Sequence, residues 1–434
     1  MKTKKYKYII IGNSAGGIGA AEAIRELDSQ GSIAIVSDEP YPAYSRPLIS
    51  EYLAAPRPVE EFVYRATDFY TKNNIDPILG EKVAAIAPET RTIKLGNGTT
   101  LGYEKLLLAT GGTPIIPVMP GFDSTGVFTF NRMDDAKAID KVLSHTHRKI
   151  KAVVIGGGLI GVSVTEALLR RNVEVVIVEM QDRILSAMLD EETSAMEAAA
   201  LEAAGVTIIT AQKAERINSN LRNEVTGIML DDSKVIPCEI VIAAIGVRPR
   251  LDALEGSGIK TNRGIVVDRR MATSAPDVYA CGDAAEAFDF IYQQDRLTPI
   301  WPNAYEGGRT AGLNMAGQLT EYTGGTAMNA MKYFGLHIVS AGLVNAPDDS
   351  YETLVHSSGE NYRKVIIKDG QLRGLVFAGD IEKAGIVYNL MKNGTDVTAF
   401  QDELVKDGFG LASLPEEVWR KHIKRPEKAV TNSR

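Results

Sequence analysis

Two glycine-rich stretches carry the residue types that hold a dinucleotide. The first follows the apolar run Tyr8-Ile-Ile-Ile and reads Gly12-Asn13-Ser14-Ala15-Gly16-Gly17. The second follows Ala152-Val-Val-Ile and reads Gly156-Gly157-Gly158-Leu159-Ile160-Gly161. A sharp strand-to-helix turn needs a residue without a side chain, and a pyrophosphate that approaches the backbone needs another. The phosphates then rest on the free amides of the helix start, where the dipole favours negative charge. A carboxylate after the next strand accepts hydrogen bonds from a ribose. Glu179 ends the run Val173–Val178, and Asp38 and Glu39 follow Ile33–Val36. Ser14 stands where the first motif would carry its middle glycine. One motif serves one dinucleotide, so two in one chain point to electrons passing between two cofactors.

The elements that must position these turns repeat as well. Gly12 to Gly156 and Gly17 to Gly161 are both steps of 144. Lys94-Leu-Gly-Asn97-Gly98-Thr-Thr-Leu predicts a hairpin on an Asn-Gly turn, running into a buried strand that ends Ala109-Thr110-Gly111-Gly-Thr-Pro114. Its later counterpart runs from Met229 through Glu239-Ile-Val-Ile-Ala-Ala-Ile to Gly246 and Pro249. The second half thus fits inside the first. Beyond Gly246 the sequence resumes with Gly264-Ile-Val-Val-Asp and Asp277-Val-Tyr-Ala-Cys281-Gly282-Asp283, for which residues 113–150 offer no counterpart.

At 434 residues the chain predicts about three domains. Its 44% hydrophobic and 24% charged residues are those of a globular protein, and a net charge of −7 argues against nucleic acid. No apolar run reaches the roughly 20 residues that span a bilayer, so no membrane insertion is expected. The basic start reads as the solvated beginning of the first strand, not a leader. Only two cysteines occur, Cys238 and Cys281, which excludes a disulfide framework and a C-x-x-C dithiol and fits a reducing cytoplasm. Cys281, in Tyr-Ala-Cys-Gly-Asp at the end of a buried-looking strand, reads as a small core residue. His145 and His147 are the only closely spaced histidines, and no metal is expected.

Taken together, the two glycine turns, Ala109–Gly111, the Gly246 strand and Ala275-Pro-Asp-Val-Tyr-Ala-Cys-Gly-Asp283 resemble the pyridine nucleotide–disulfide oxidoreductase superfamily of flavoproteins. Pro42-Ala-Tyr-Ser45-Arg46-Pro47-Leu-Ile-Ser and the stretch Trp301-Pro302 to Met315 are most similar to the NADH-dependent rubredoxin and ferredoxin reductases. They also resemble FAD/NAD subunits found beside carbon monoxide dehydrogenase or 2-oxoacid oxidoreductases. The resemblance implies an α/β fold of two doubly wound dinucleotide-binding domains, one inserted in the other, plus an α+β C-terminal interface domain. FAD would occupy residues 1–113 with 247–324, and NAD(H) residues 114–246. Residues 325–434 would form the interface domain, used to pair as a homodimer or to join a complex. It further implies that Val83, Arg132, Gly282, Asp283, Ser45, Arg46 and Pro47 lie around FAD, and that Trp301-Pro302 opens a helix aimed at the flavin.

Flavin converts between a nicotinamide hydride and the single electrons of an iron–sulfur centre, and no general acid or nucleophile is required. None is offered, so no catalytic side chain is assigned. The expected partner is an iron–sulfur carrier or subunit; oxygen or a quinone as acceptor, and a docking and electron-relay subunit with little free turnover, are the alternatives. Glu179 disfavours a 2′-phosphate and Met180-Gln181-Asp182 adds no cation, which favours NADH over NADPH; Arg183 is the one nearby counterweight. The chain also departs from its relatives. Residues Tyr41–Leu53 contain no cysteine, and positions where ferredoxin reductases pair a lysine with a glutamate hold Glu51 and Ser163.

Overall fold

The computed structural model describes residues 3–146 and 148–423; His147 and the end of the basic C-terminal run lie outside them. The chain forms two compact units. One comprises the residues up to 187 with 194–327, the other residues 188–193 with 328 onward.

In the larger unit, β1 (Lys4–Ile11), α1 (Ala15–Leu27) and β2 (Ile33–Ser37) make the first glycine-turn unit. The short helices α2 (Ile49–Ala54) and α3 (Phe69–Lys72) precede β3 (Ile75–Leu79), β4 (Val83–Ala87), β5 (Thr92–Leu95) and β6 (Thr100–Leu108). Then β7 (Gly112–Pro114), β8 (Val127–Thr129) and α4 (Met133–Ser144) lead to the second unit, β9 (Lys151–Ile155), α5 (Leu159–Arg170) and β10 (Glu174–Val178). Next come α6 (Glu191–Ala203), β11 (Thr207–Ile209), β12 (Ala214–Ser219), β13 (Val225–Leu230), β14 (Val235–Pro237) and β15 (Ile240–Ala243). The chain returns through β16 (Val247–Pro249), β17 (Ile265–Val266), β18 (Val278–Ala280), β19 (Ala285–Asp289), β20 (Gln294–Arg296) and α7 (Trp301–Met315).

Both glycine turns sit on sheets whose central strands run parallel on one plan, the first sheet adding the antiparallel β5 and β4 at one edge. The first sheet runs β3-β2-β1-β6-β5-β4, with β18 beside β6; the second runs β11-β10-β9-β15-β8. Ile9 lies between Ala34 and Leu106, as Val154 lies between Ile177 and Ile242. A central parallel strand is covered on both faces, which is why β1 ends in an unbroken isoleucine run and β9 in Val-Val-Ile. Ile9 and Ile10 are fully buried, each contributing about 1.5–3 kcal/mol by burial.

The match between the halves extends further than the sequence repeat. Strand β18 pairs in parallel with β6 (Tyr279 opposite Leu107), and β8 pairs in the same way with β15 (Ile242 opposite Phe128). Residues 127–129 are therefore the topological counterpart of 278–280, correcting the expectation that 113–150 holds none. The counterpart comes before its glycine turn instead of after the Gly strand, so no constant offset reveals it.

Helices α1 and α7 meet through small residues. A Cβ on Gly308 would lie 2.0 Å from the carbonyl oxygen of Gly16, so the two backbones touch and any larger side chain would part them. The hairpin at Asn97-Gly98 forms, but its turn starts at Leu95, whose carbonyl accepts the Gly98 N–H at 3.0 Å. Only Gly98 takes a left-handed φ (+88°) there, while the Asn97 side chain accepts the Thr99 N–H.

The smaller unit is an antiparallel sheet in the order β21 (Met328–Tyr333), β22 (Leu336–Gly342), β25 (Gln371–Ala378), β24 (Asn361–Lys368), β23 (Glu352–Ser358). Helix α8 (Ala384–Lys392) buries Val387, Leu390 and Met391, and α9 (Glu416–Ile423) follows. Asp190, from the segment 188–193, accepts the Tyr362 hydroxyl at 2.7 Å and the Lys364 ammonium at 3.0 Å. No helix among the described residues is long and apolar enough to cross a membrane.

Candidate dinucleotide sites

At the first turn, Gly12 adopts φ +122° and its N–H donates to Val36 at 2.8 Å. A Cβ there would lie 2.1 Å from the Ala109 carbonyl oxygen, so the turn and Ala109–Gly111 are in direct contact. Ser14 occupies the N-cap of α1, yet its side chain caps nothing, which leaves the amides of Ala15, Gly16 and Gly17 without a side-chain partner. At the second turn, Gly156 adopts φ +105° and donates to Val178 at 2.8 Å. Gly158 is the N-cap of α5, followed by Leu159, Ile160 and Gly161; a Cβ on Gly158 would meet nothing within 4 Å. Both helix starts are therefore open for a phosphate.

The carboxylates behind the two turns are already engaged. Glu179 accepts the Gly157 N–H at 2.6 Å and the Gln181 N–H at 2.7 Å. Asp38 accepts from Arg132 and Arg250, both at 2.9 Å. Glu39 is 4% exposed and accepts from the Arg46 guanidinium and, at 2.5 Å, from the Tyr44 hydroxyl. Arg46 also donates to the Asn131 carbonyl at 3.1 Å, while the Tyr44 hydroxyl accepts the Met133 N–H at 3.1 Å. The segment 131–133 thus closes on the loop that carries Ser45, Arg46 and Pro47.

The remaining predicted residues gather around this frame. Thr110 donates to the Arg250 carbonyl and Arg250 N–H to Gly111, both at 2.9 Å. Gly246 accepts the Ile115 N–H at 3.0 Å beside the ribbon of β7 and β16, in which Val247 faces Pro114. Val83 opens β4 with its side chain buried in the first sheet's core, so only its backbone can face a ligand. Gly282 (φ +71°) and Asp283 form a 3-10 turn after β18. Burial pushes the Asp283 carboxyl upward, and the nearby Arg46 guanidinium pulls it back. Trp301 and Pro302 form the first turn of α7, with the Trp301 ring edge-on to Tyr64 at 5.2 Å.

Arg250, Tyr44 and Asn131 complete the site; Tyr44 lies within the Pro42–Pro47 motif, whereas no local pattern singles out Arg250 or Asn131. Asp38 and Arg250 are 212 residues apart. Both cysteines are buried, and burial pushes each thiol up to about 12. His145 hydrogen-bonds the Lys141 carbonyl at 2.7 Å, and no group of three metal-ligating side chains occurs among the described residues.

Comparison with known proteins agrees with this geometry. Residues 6–308 match the family described as pyridine nucleotide-disulphide oxidoreductase, and residues 328–395 match the rubredoxin NAD+ reductase C-terminal domain. The NADH-dependent phenylglyoxylate dehydrogenase subunit epsilon of Aromatoleum evansii is 29% identical over 95% of this chain and 98% of its own. Nitrite reductase [NAD(P)H] of Bacillus subtilis is 29% identical over 91% of this chain, which spans only 48% of that longer protein. The crystal structure of NADH:rubredoxin oxidoreductase from Clostridium acetobutylicum superposes with a TM-score of 0.74 at 26% identity, covering 91% of this chain and 97% of the other. Two sheets with parallel central strands and open glycine turns suit the two dinucleotides this family uses, and the chain belongs to the pyridine nucleotide-disulphide oxidoreductases, FAD- and NAD(H)-dependent enzymes.

Proposed function

We propose that this protein moves electrons between NAD(H) and an iron–sulfur carrier or subunit through FAD, with no thiol in the relay. The observation that carries the reading is the pairing of two open dinucleotide cradles in one compact unit whose only cysteines are buried and protonated. FAD supplies the exchange between one hydride and two single electrons. In this reading residues 1–113 with 247–324 hold FAD, 114–246 hold NAD(H), and 325–434 form the interface domain. The α1 amides and Arg132 would take the FAD pyrophosphate, Glu39 the adenosine ribose and Asp283 the ribityl hydroxyls. Arg46 would neutralise charge beside Asp283. The α7 start at Trp301-Pro302 would place a positive dipole end at the flavin ring. The α5 amides and Glu179 would hold NADH. A cytoplasmic setting fits two unpaired thiols.

The test is anaerobic. NADH should bleach the flavin of the purified protein, and rubredoxin or ferredoxin should reoxidise it faster than air does. Reoxidation by oxygen alone would make the protein an NADH oxidase instead.

A second reading has its own support. The near end-to-end match to a dehydrogenase subunit epsilon favours a resident subunit of a larger complex over a free reductase. Co-purification of an iron–sulfur partner in fixed stoichiometry would establish it.

A further inference from the structure

The helix that starts at the second glycine turn has a partly buried arginine at its far end that reaches two other helices. Arg171, the C-cap of α5, is 18% exposed. Its Nη1 donates to the Leu53 carbonyl on α2 at 2.9 Å and to Asp140 on α4 at 2.8 Å. Its Nη2 donates to the Ser144 hydroxyl, also on α4, at 3.2 Å. The neighbouring Arg170 pairs with Glu51 at 2.9 Å, but both groups are nearly half exposed, where an ion pair contributes little.

The near ends of the three helices are the sites themselves. Helix α5 begins at Gly156–Gly161. Helix α2 directly follows the 3-10 turn Arg46–Leu48, and α4 follows Arg132, which grips Asp38. A planar guanidinium reaches three acceptors in fixed directions, which an ammonium cannot do. One side chain therefore ties the helix of the second glycine turn to both helices that follow the Arg46 and Arg132 segments. Hydride transfer needs reacting atoms about 3–3.5 Å apart, and a 1 Å misplacement costs on the order of 100-fold.

Resting on the proposed function above, we propose that Arg171 is a positioning residue that sets the register of nicotinamide against flavin. It touches neither cofactor. It acts through the tilt of α5, so its loss should lower the rate of reduction without weakening NADH binding in proportion.

The experiment is stopped-flow flavin reduction by NADH in Arg171→Gln, Arg171→Lys and Arg170→Gln, all with FAD bound. We expect the limiting reduction rate to fall about tenfold or more in Arg171→Gln, and by less in Arg171→Lys. The Kd for NADH should move less than about threefold, and Arg170→Gln should stay within about twofold of the parent. The long-wavelength charge-transfer absorbance of the nicotinamide–flavin complex should weaken in step with the rate. An unchanged rate and band in Arg171→Gln, whatever its melting temperature, would overturn the proposal. Should that variant emerge without flavin, Asp140→Asn decides: a slower limiting rate with intact NADH binding supports the clamp, and a parental rate refutes it. A parent protein that NADH does not bleach would instead sink the functional reading itself.

Discussion

The carboxylate of Glu179 accepts the amide of Gly157 at 2.6 Å, so the acidic group behind the second turn is locked onto the turn it serves. Its other oxygen is held by the Gln181 amide. A 2′-phosphate arriving there would meet a fixed negative charge. Arg183, the cation nearest to Glu179 in sequence, is turned to Asp182 at 3.0 Å. Glu179→Gln should therefore narrow the ratio of kcat/KM for NADH over NADPH, by about tenfold if one charge contact is lost. Adding Asp182→Asn, which frees Arg183, should narrow it further. An unchanged ratio in both variants would remove Glu179 from cofactor choice.

Replacing both Cys238 and Cys281 with Ser should leave flavin reduction by NADH within about tenfold of the parent, equivalent to roughly 1.4 kcal/mol of barrier. Their burial keeps both thiols protonated at neutral pH. A buried hydroxyl without a partner costs about 1–3 kcal/mol, so a lower melting temperature is expected alongside. A larger rate loss with FAD still bound would put a thiol into the relay.

Much of this architecture is legible in the sequence, because a glycine turn and the strand before it are local. Gly12 and Gly156 announce themselves through the apolar runs they end, and Gly98 through its neighbour Asn97. The topological match of β8 to β18 is invisible for two reasons: each strand has three residues, and the order along the chain is permuted. Asp38 finds Arg132 and Arg250 only once the β7–β16 ribbon has brought distant segments together. Likewise nothing in Arg170-Arg171 distinguishes the exposed ion pair from the clamp. Segment 188–193 is a related case, running into the first turn of α6 in sequence yet grouping with the smaller unit.

That segment supplies a test of the smaller unit. Desolvation pushes the Asp190 carboxyl up, but hydrogen bonds from Thr193, Tyr362 and Lys364 outweigh it and hold it below the ordinary range. A depressed carboxyl stabilises the fold above its unfolded value, about 3.9, and loses that contribution as pH falls through the folded value. Asp190→Asn should remove this acid-side dependence and leave the Lys364 ammonium buried without its counter-ion. Breaking such a pair costs about 3–5 kcal/mol. Thermal unfolding of the full chain at pH 7 should show the loss, and a parental melting temperature would mean that Lys364 finds another partner.

Glu197 on α6 gives a dependence of opposite sign. Its side chain is fully buried and neither carboxylate oxygen has a hydrogen-bond partner. Burial, with the charge of Glu166 added, raises its pKa to about 8. A carboxyl raised by folding keeps its full share of stability below its unfolded value, near 4.3, and loses it as pH rises through the folded value. The parent should therefore lose stability steadily between about pH 4.3 and pH 8. Glu197→Gln, which mimics the neutral acid, should not. Melting curves of the two proteins should nearly coincide in acid and diverge on the alkaline side, the variant becoming the more stable. Parallel curves across that range would show that Glu197 ionises in the folded protein as it does in the unfolded chain, solvated by water, and that α6 does not carry this proton.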